Sequence, residues 1–146
     1  MDFKTIIYGS DEYRQMVDLR HRILRAPINS VATEEELAED QSHILLGAFF
    51  PNGGEIVACC FLTHISEKVA RLRQMAVDTH YQKKCLGAEL IDYAESIASD
   101  LNYKWMYLHA RKTAVDFYKK QGYQIEGDYF EEVGIPHIEM MKNIEF

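Results

Sequence analysis

The chain has 146 residues, 47% hydrophobic and 27% charged, proportions that fit an ordinary globular domain with one core. A net charge of −7 argues against a broad nucleic-acid backbone footprint, which needs a basic surface. Three cysteines with no C-x-x-C pair and scattered histidines speak against a disulfide framework and against a metal site.

The nearly uncharged stretch "HILLGAFFPNGG" is too short for a bilayer span and is broken by Pro51, Asn52 and two glycines. "MDFKTIIYGSDEYRQ" has no basic region followed by a long apolar run, so no secretory signal is read and cytoplasm is the expected compartment. No repeat, low-complexity tract or linker divides the chain, which predicts a single domain over residues 1–146. Neither nucleic acid nor membrane is an expected partner.

In chain order, "FKTIIYG" reads as a short strand. Ser10 is a candidate N-cap for a helix carrying Tyr13, Met16, Val17, Ile23 and Leu24 at helical spacing, closed by Pro27. Thr33 and Glu36 have capping-box spacing for a second, short helix. "HILLGAFF" and "EIVACCFLTHI" flank "PNGG", the pattern of a hairpin, and place Cys59 and Cys60 on opposite faces of a strand. "VARLRQMAVD" is a third extended piece. Leu86, Leu90, Tyr93, Ala94, Ile97 and Leu101 then form a helical stripe. "KWMYLHA" is a strand, and Thr113 and Asp116 open a helix with Ala114, Phe117 and Tyr118 inward, stopped by Gly122. "YQIEGDYF" and "HIEMMKNI" are the last strands. The order β-α-α-β-β-β-α-β-α-β-β predicts a mixed α/β fold, with about six or seven strands and a right-handed parallel crossover in its second half.

The segment "QKKCLGA", residues 82–88, joins a strand ending at Val77 to a helix starting near Leu86. First-turn amides of a helix lack internal partners and carry a partial positive charge, so this is a candidate anion site. Each amide hydrogen bond to a charged group contributes about 1.5–3 kcal/mol. Exposed lysines such as Lys83 and Lys84 add about 0–1 kcal/mol each. Gly87 leaves room for a phosphate to reach the backbone. The bland reading is a basic surface turn. The spacing matches neither a P-loop nor a dinucleotide fingerprint.

The context raises the functional reading. "MAVDTHYQKKCLGAELIDYAE" resembles the acetyl-CoA motif of the GNAT-type N-acetyltransferases, whose loop runs Q/R-x-x-G-x-G/A. Gln82, Lys83, Lys84, Cys85, Leu86 and Gly87 map onto it in order, followed by Ala88. "AVDFYKKQGYQIEGDYF" resembles that family's A-x-x-F/L-Y-x-x-x-G-F/Y segment, and "GIPHIEMMK" the closing strands of its ElaA-like members. The chain departs from the pattern at Cys85, where the loop's first glycine is expected, and at Arg111, where many relatives carry Asn. A side chain at Cys85 is tolerated if φ there is negative. Cys85 reads either as an inert filler or as a thiol able to form a mixed disulfide with coenzyme A. Arg111 reads as a ligand for a phosphate or a substrate carboxylate, or as a solvent-facing side chain.

The resemblance implies direct acetyl transfer from acetyl-CoA, as co-substrate, to a primary amine of a small molecule or peptide, without metal. It places the pantetheine arm and the oxyanion donor along Met75, Ala76 and Val77. Tyr118 takes the leaving-group acid's position, against a bland reading as a core aromatic. His137 and Glu132 are candidate bases. His109, Glu34 and Glu36 are weaker ones with ready structural explanations. A homodimer through a sheet edge or helix is compatible with such a fold. The rival reading is a non-catalytic acyl-CoA-binding module that reports cofactor level to a partner. Calorimetry is expected to give micromolar acetyl-CoA binding that Gly87→Glu abolishes; no binding by a folded wild type would mean that Cys85 has spoiled the site or that the resemblance has outlived the function.

Overall fold

The computed structural model describes residues 1–82 and 85–145. Its strands are β1 (Asp2–Ile6), β2 (Ile44–Phe49), β3 (Ile56–Ser66), β4 (Val69–Val77), β5 (Trp105–Arg111), β6 (Gln124–Glu132) and β7 (Ile135–Asn143). The α-helices are α1 (Asp11–Arg20), α2 (Glu34–Glu39), α3 (Leu86–Asp100) and α4 (Val115–Lys120). The strands form one seven-stranded sheet in the order β1-β2-β3-β4-β5-β7-β6. All neighbours are antiparallel except β4 and β5, which the α3 crossover makes parallel.

Local signals account for most element ends. The Ser10 hydroxyl accepts from the Tyr13 N–H at 3.1 Å and starts α1. Thr33 does the same for the Glu36 N–H at 3.1 Å. Glu36 turns its carboxylate to Arg25 at 3.1 Å. The β2–β3 hairpin closes with Phe50 N–H on the Glu55 carbonyl at 3.0 Å, over Asn52 and Gly53 at positive φ. Three ends differ from expectation. α1 does not run regularly to Pro27: it widens to a π-helical turn over His21–Arg25, then tightens to a 3-10 turn over Ala26–Ile28. The proline ring cannot accept a regular α turn before it, and the wider turn absorbs the mismatch. Thr113 does not cap α4, whose N-cap is Ala114 without a side-chain bond. Leu101 falls past the end of α3 and is exposed, because Ile91 and Ala98 complete the inner stripe instead.

Each face of the sheet carries its own apolar cluster. α3 and α4 cover Leu46, Cys60, Leu72, Met106, Leu108 and Met140 on one face. Tyr13, Met16 and Leu19 of α1 cover Leu45, Phe49, Cys59, Phe61 and Ala76 on the other. Cys59 and Cys60 therefore do point to opposite faces. Burial of each such leucine or methionine contributes about 1.5–3 kcal/mol. Among the described residues no helix is long and apolar enough to cross a membrane.

Two buried ionic groups were not legible as such. Glu95 lies on the inner side of α3, where it accepts from the Tyr123 hydroxyl at 2.9 Å and from Lys142 at 2.8 Å. Arg20 at the end of α1 donates to Asp40 Oδ2 at 2.9 Å, and the Tyr13 hydroxyl donates to the same oxygen at 2.7 Å. This second group ties α1 to the chain after α2. Removing one partner strands a buried charge, so Arg20→Met should cost about 3–5 kcal/mol in urea unfolding. A loss under 1 kcal/mol would show that water compensates Asp40.

Candidate active site

β4 and β5 share a ladder only at Val69–Trp105, Ala70–Met106 and Arg71–Tyr107. Beyond that the strands part, for a local reason. Ala76 opposes Cys59 and Arg73 opposes Phe61, so Gln74 and Met75 together face Cys60. That bulge, with Gln74 at φ 55°, bends β4, while β7 holds β5 in register as far as Arg111–His137. A cleft of about 370 Å³ opens between them. Met75 lines it, while Ala76 is buried, and Ala76 and Val77 pair with β3. Toward β5, the edge of β4 past Arg71 has no strand partner among the described residues.

The cleft passes through the sheet. Leu72, Leu108, Ala114, Phe117 and Tyr118 approach it from the α3–α4 side. Arg71, Arg73, His109 and Arg111 stand on the side of α1, where Ile23, Leu24 and Arg25 of the π-helical turn form the wall. Arg111 Nη2 reaches across to the Leu24 carbonyl at 3.5 Å. It thus lines the cleft and is not simply a solvent-facing side chain.

At the end of β4, Asp78 accepts from the His80 N–H at 3.0 Å and turns the chain. Gln82 donates to the Val77 carbonyl at 2.9 Å, so its side chain shapes the loop. Lys83 and Lys84 lie outside the described residues. Leu86 is buried, and Ala88 is half-buried in the first turn of α3. Cys85 is the N-cap, exposed, with φ 61° and ψ 7°. The negative φ that would make a side chain harmless there is not found. Cys85 occupies the left-handed region that glycine prefers, at a cost of roughly 1–2 kcal/mol. Gly87 has a packing role beside any ligand role: a Cβ there would lie 3.2 Å from Phe117 Cζ.

Tyr118 is buried and packs edge-on against Phe117 and Tyr123, with ring centroids 5.1 and 5.9 Å away. Burial pushes its phenol well above the ordinary value, the Cys60 thiol adds to this, and Arg111 opposes it. Its hydroxyl has no hydrogen-bond partner among the described residues, and the side chain borders the cleft.

His137 and Glu132 both reach the cleft, from the β6–β7 hairpin. His137 Nδ1 lies 2.8 Å from the Ile135 carbonyl, which can only accept. In the neutral ring Nδ1 therefore keeps the proton and Nε2 keeps the lone pair, with no hydrogen-bond partner among the described residues. Glu132 is committed differently: its Oε2 is 2.7 Å from His109 Nδ1, and Arg71 lies 3.9 Å from its other oxygen. Burial opposes its ionisation, but the bond to His109 and the charges of His109, His137 and Arg71 outweigh burial and hold the carboxyl below its ordinary range. His109 is engaged at both nitrogens, since Tyr107 Oη lies 2.7 Å from Nε2. Glu34 and Glu36 do not border the cleft. The residues absent from the sequence reading are Arg25, Arg71, Arg73 and Tyr107. The alternation "RLR" in β4 carried the signal: a strand face with two cations cannot be core.

With this geometry in view, the comparisons place the chain. The sequence profile of the acetyltransferase (GNAT) domain matches residues 18–144, and the chain belongs to that acetyltransferase family. The uncharacterized N-acetyltransferase YjcF of Bacillus subtilis (strain 168) is 26% identical over 142 residues, covering 95% of this chain and 98% of the relative. The uncharacterized protein YyaT of the same organism is 36% identical over 75 residues, an alignment spanning about half of each chain, 51%. Among solved structures, an aminoglycoside 6'-N-acetyltransferase complexed with coenzyme A superposes with a TM-score of 0.82 at 18% identity, covering 99% of this chain and 97% of that one. Escherichia coli ElaA gives 0.82 at 18% identity, covering 98% and 100%. At such identities the structures establish the shared fold.

Two outcomes follow from the local geometry. Cys85→Gly should leave stability equal or higher in thermal unfolding, whereas Cys85→Val should lower it by roughly 1–2 kcal/mol; the reverse ranking would contradict the left-handed cap. The depressed Glu132 carboxyl contributes stability above its unfolded value, near 4.5, and loses it as pH falls through the folded value. Glu132→Gln should therefore be less stable than wild type at pH ~7 and converge with it in strong acid, read by urea unfolding across pH.

Proposed function

We propose that this chain transfers an acetyl group from acetyl-CoA directly to a primary amine, within a complex holding both substrates. The observation that carries the reading is the separation of β4 from β5, with Tyr118 on one side of the gap and the start of α3 at its end. In a chain of this family, an unpaired strand edge of that kind suits the amide groups of a pantetheine arm. The pyrophosphate would take the first-turn amides of α3 around Leu86, Gly87 and Ala88, with Gln82, Lys83, Lys84 and Cys85 forming the loop beside it.

The amine nitrogen attacks the thioester carbonyl carbon; an N–C bond forms, the C–S bond breaks and the thiolate leaves. A backbone N–H on the Met75–Val77 stretch would stabilise the charge on the carbonyl oxygen. His137 Nε2, with its free lone pair, would take the amine proton, and Glu132, held by His109, would set the field around it. Tyr118 would donate a hydrogen bond to the departing sulfur. Its raised phenol is a weaker acid than a thiol near ~8.5, so the proton finally gained by the thiolate comes from the amine nitrogen by way of the His137 imidazolium rather than from tyrosine.

Direct transfer is favoured over an acyl-enzyme because no cysteine borders the cleft among the described residues. Cys59 and Cys60 are fully buried, with burial pushing the Cys59 thiol up to about 12. Coenzyme A release in the presence of an amine panel tests the reading. Tyr118→Phe should lower kcat by about 10²–10³-fold, the loss typical of one transition-state donor, with unchanged thermal unfolding. Unaltered turnover would remove Tyr118 from the reaction. Acetyl-CoA binding without turnover on any amine would leave the chain as a cofactor-binding module.

A further inference from the structure

The ionic composition of the cleft is opposite to that of the chain. Overall the protein carries a net charge of −7. The cleft is bordered by four arginines, Arg25, Arg71, Arg73 and Arg111, and by one carboxylate, Glu132. Two of the arginines have acidic neighbours: Arg25 pairs with Glu36 at 3.1 Å, and Arg71 lies 3.9 Å from Glu132. The other two have none within ion-pair distance among the described residues. Arg73 rests on the Phe61 ring, 5.3 Å from its centroid, and among the described residues the hydrogen-bond contact of Arg111 is the long one to Leu24. Arg71 also buries its Nε without a hydrogen-bond partner.

Holding guanidinium groups in a half-buried cleft without counter-charges costs free energy. Burial, followed by repulsion from Arg71, weakens the hold of Arg73 on its proton, and the carboxylates of Glu132, Glu39 and Asp40, none within ion-pair distance, offset this only in part. An arginine presents a planar fork that suits an oxyanion, and an arriving anion would supply the missing counter-charge. Arg71 and Arg73 are two residues apart on one face of β4, so they point the same way. They stand on the α1 side, whereas the start of α3 and Tyr118 lie on the other.

Taking the proposed N-acetyltransfer as its basis, we infer that the acceptor is an amine that itself carries an oxyanion, as amino acids do, with Arg73 and Arg71 receiving that group. The position of the pair separates this anion from the pyrophosphate of the cofactor, which belongs at the opposite face. Polycationic acceptors are disfavoured by the same arginines. The aminoglycoside acetyltransferase that shares the fold is thus a guide to architecture and not to acceptor class.

The test is coenzyme A release by the full chain with acetyl-CoA and a matched acceptor panel. The panel holds the common free amino acids, each beside its carboxamide, together with aminoalkyl phosphates and a polycationic aminoglycoside. At least one oxyanion-bearing amine should exceed its neutral counterpart by 10-fold or more in kcat/KM, about 1.4 kcal/mol. Preference among carboxylates identifies a carboxylate as the group received; preference for the aminoalkyl phosphates identifies a phosphate. Arg73→Gln should bring the acid-to-amide ratio to about one, with thermal unfolding measured alongside to show that the variant folds.

Equal rates on acids and amides, or a preference for the aminoglycoside, would overturn the inference and leave N-acetyltransfer standing. Selectivity unchanged in a folded Arg73→Gln would also overturn it. So would a gain from succinyl-CoA over acetyl-CoA that Arg73→Gln removes, since the anion would then belong to the acyl group. Absence of turnover on every amine would overturn the proposed function and this inference together.

Discussion

The site depends on a ladder that stops early. β4 and β5 are neighbours in one sheet, yet they exchange backbone pairing at only three positions before they diverge. Unpaired backbone groups in a protein interior are costly, so such a gap persists only where something else meets those groups. Everything placed at the gap answers to this one interruption. The π-helical turn after α1 forms its wall on one side. α4 brings Tyr118 from the other, and the β6–β7 hairpin brings His137 and Glu132 to its rim. The π-helical turn lies far along the chain from α4 and from the β6–β7 hairpin that follows α4. The splayed strands give them a common destination.

The interruption is itself held open from both sides. On β4 the extra residue opposite Cys60 shifts the strand, and on β5 continuous pairing with β7 prevents it from following. The buried Arg20–Asp40–Tyr13 group then fixes α1 relative to the chain after α2, which keeps the wall from collapsing into the opening. These are polar constraints within an apolar frame. They contribute geometry more than net stability, because desolvation offsets much of the attraction between buried charges.

Local patterns carried the element order. Helical stripes, the "PNGG" turn and the capping residues Ser10 and Thr33 are short-range features, legible wherever the chain is read in windows of a few turns. The family loop and the "AVDFYKKQGY" segment were legible as a resemblance. What escaped reading depends on register between distant strands. The bulge at Gln74 has no glycine to announce it, and the left-handed Cys85 runs against the residue preference for that conformation. The sequence ranked His137 above His109 as a base but did not show the hydrogen bonds that distinguish them. The partners of their nitrogens separate a fully engaged ring, His109, from one with a free lone pair, His137. The arginines were visible as residues, but their convergence on one cleft requires β4, β5 and the π-helical turn to be brought together.

The contact between Gly87 and Phe117 joins two parts of the molecule that the proposed chemistry would use separately. A side chain at Gly87 would press on Phe117, whose ring lies edge-on against Tyr118. The loop that would receive the cofactor and the hydroxyl that would meet its sulfur are thus mechanically in series, one ring apart. A glycine in that place serves the packing of two helices whether or not a phosphate ever arrives. A side chain there would require the Phe117 ring to shift by a few tenths of an ångström, so the position is constrained by helix packing as well as by any ligand.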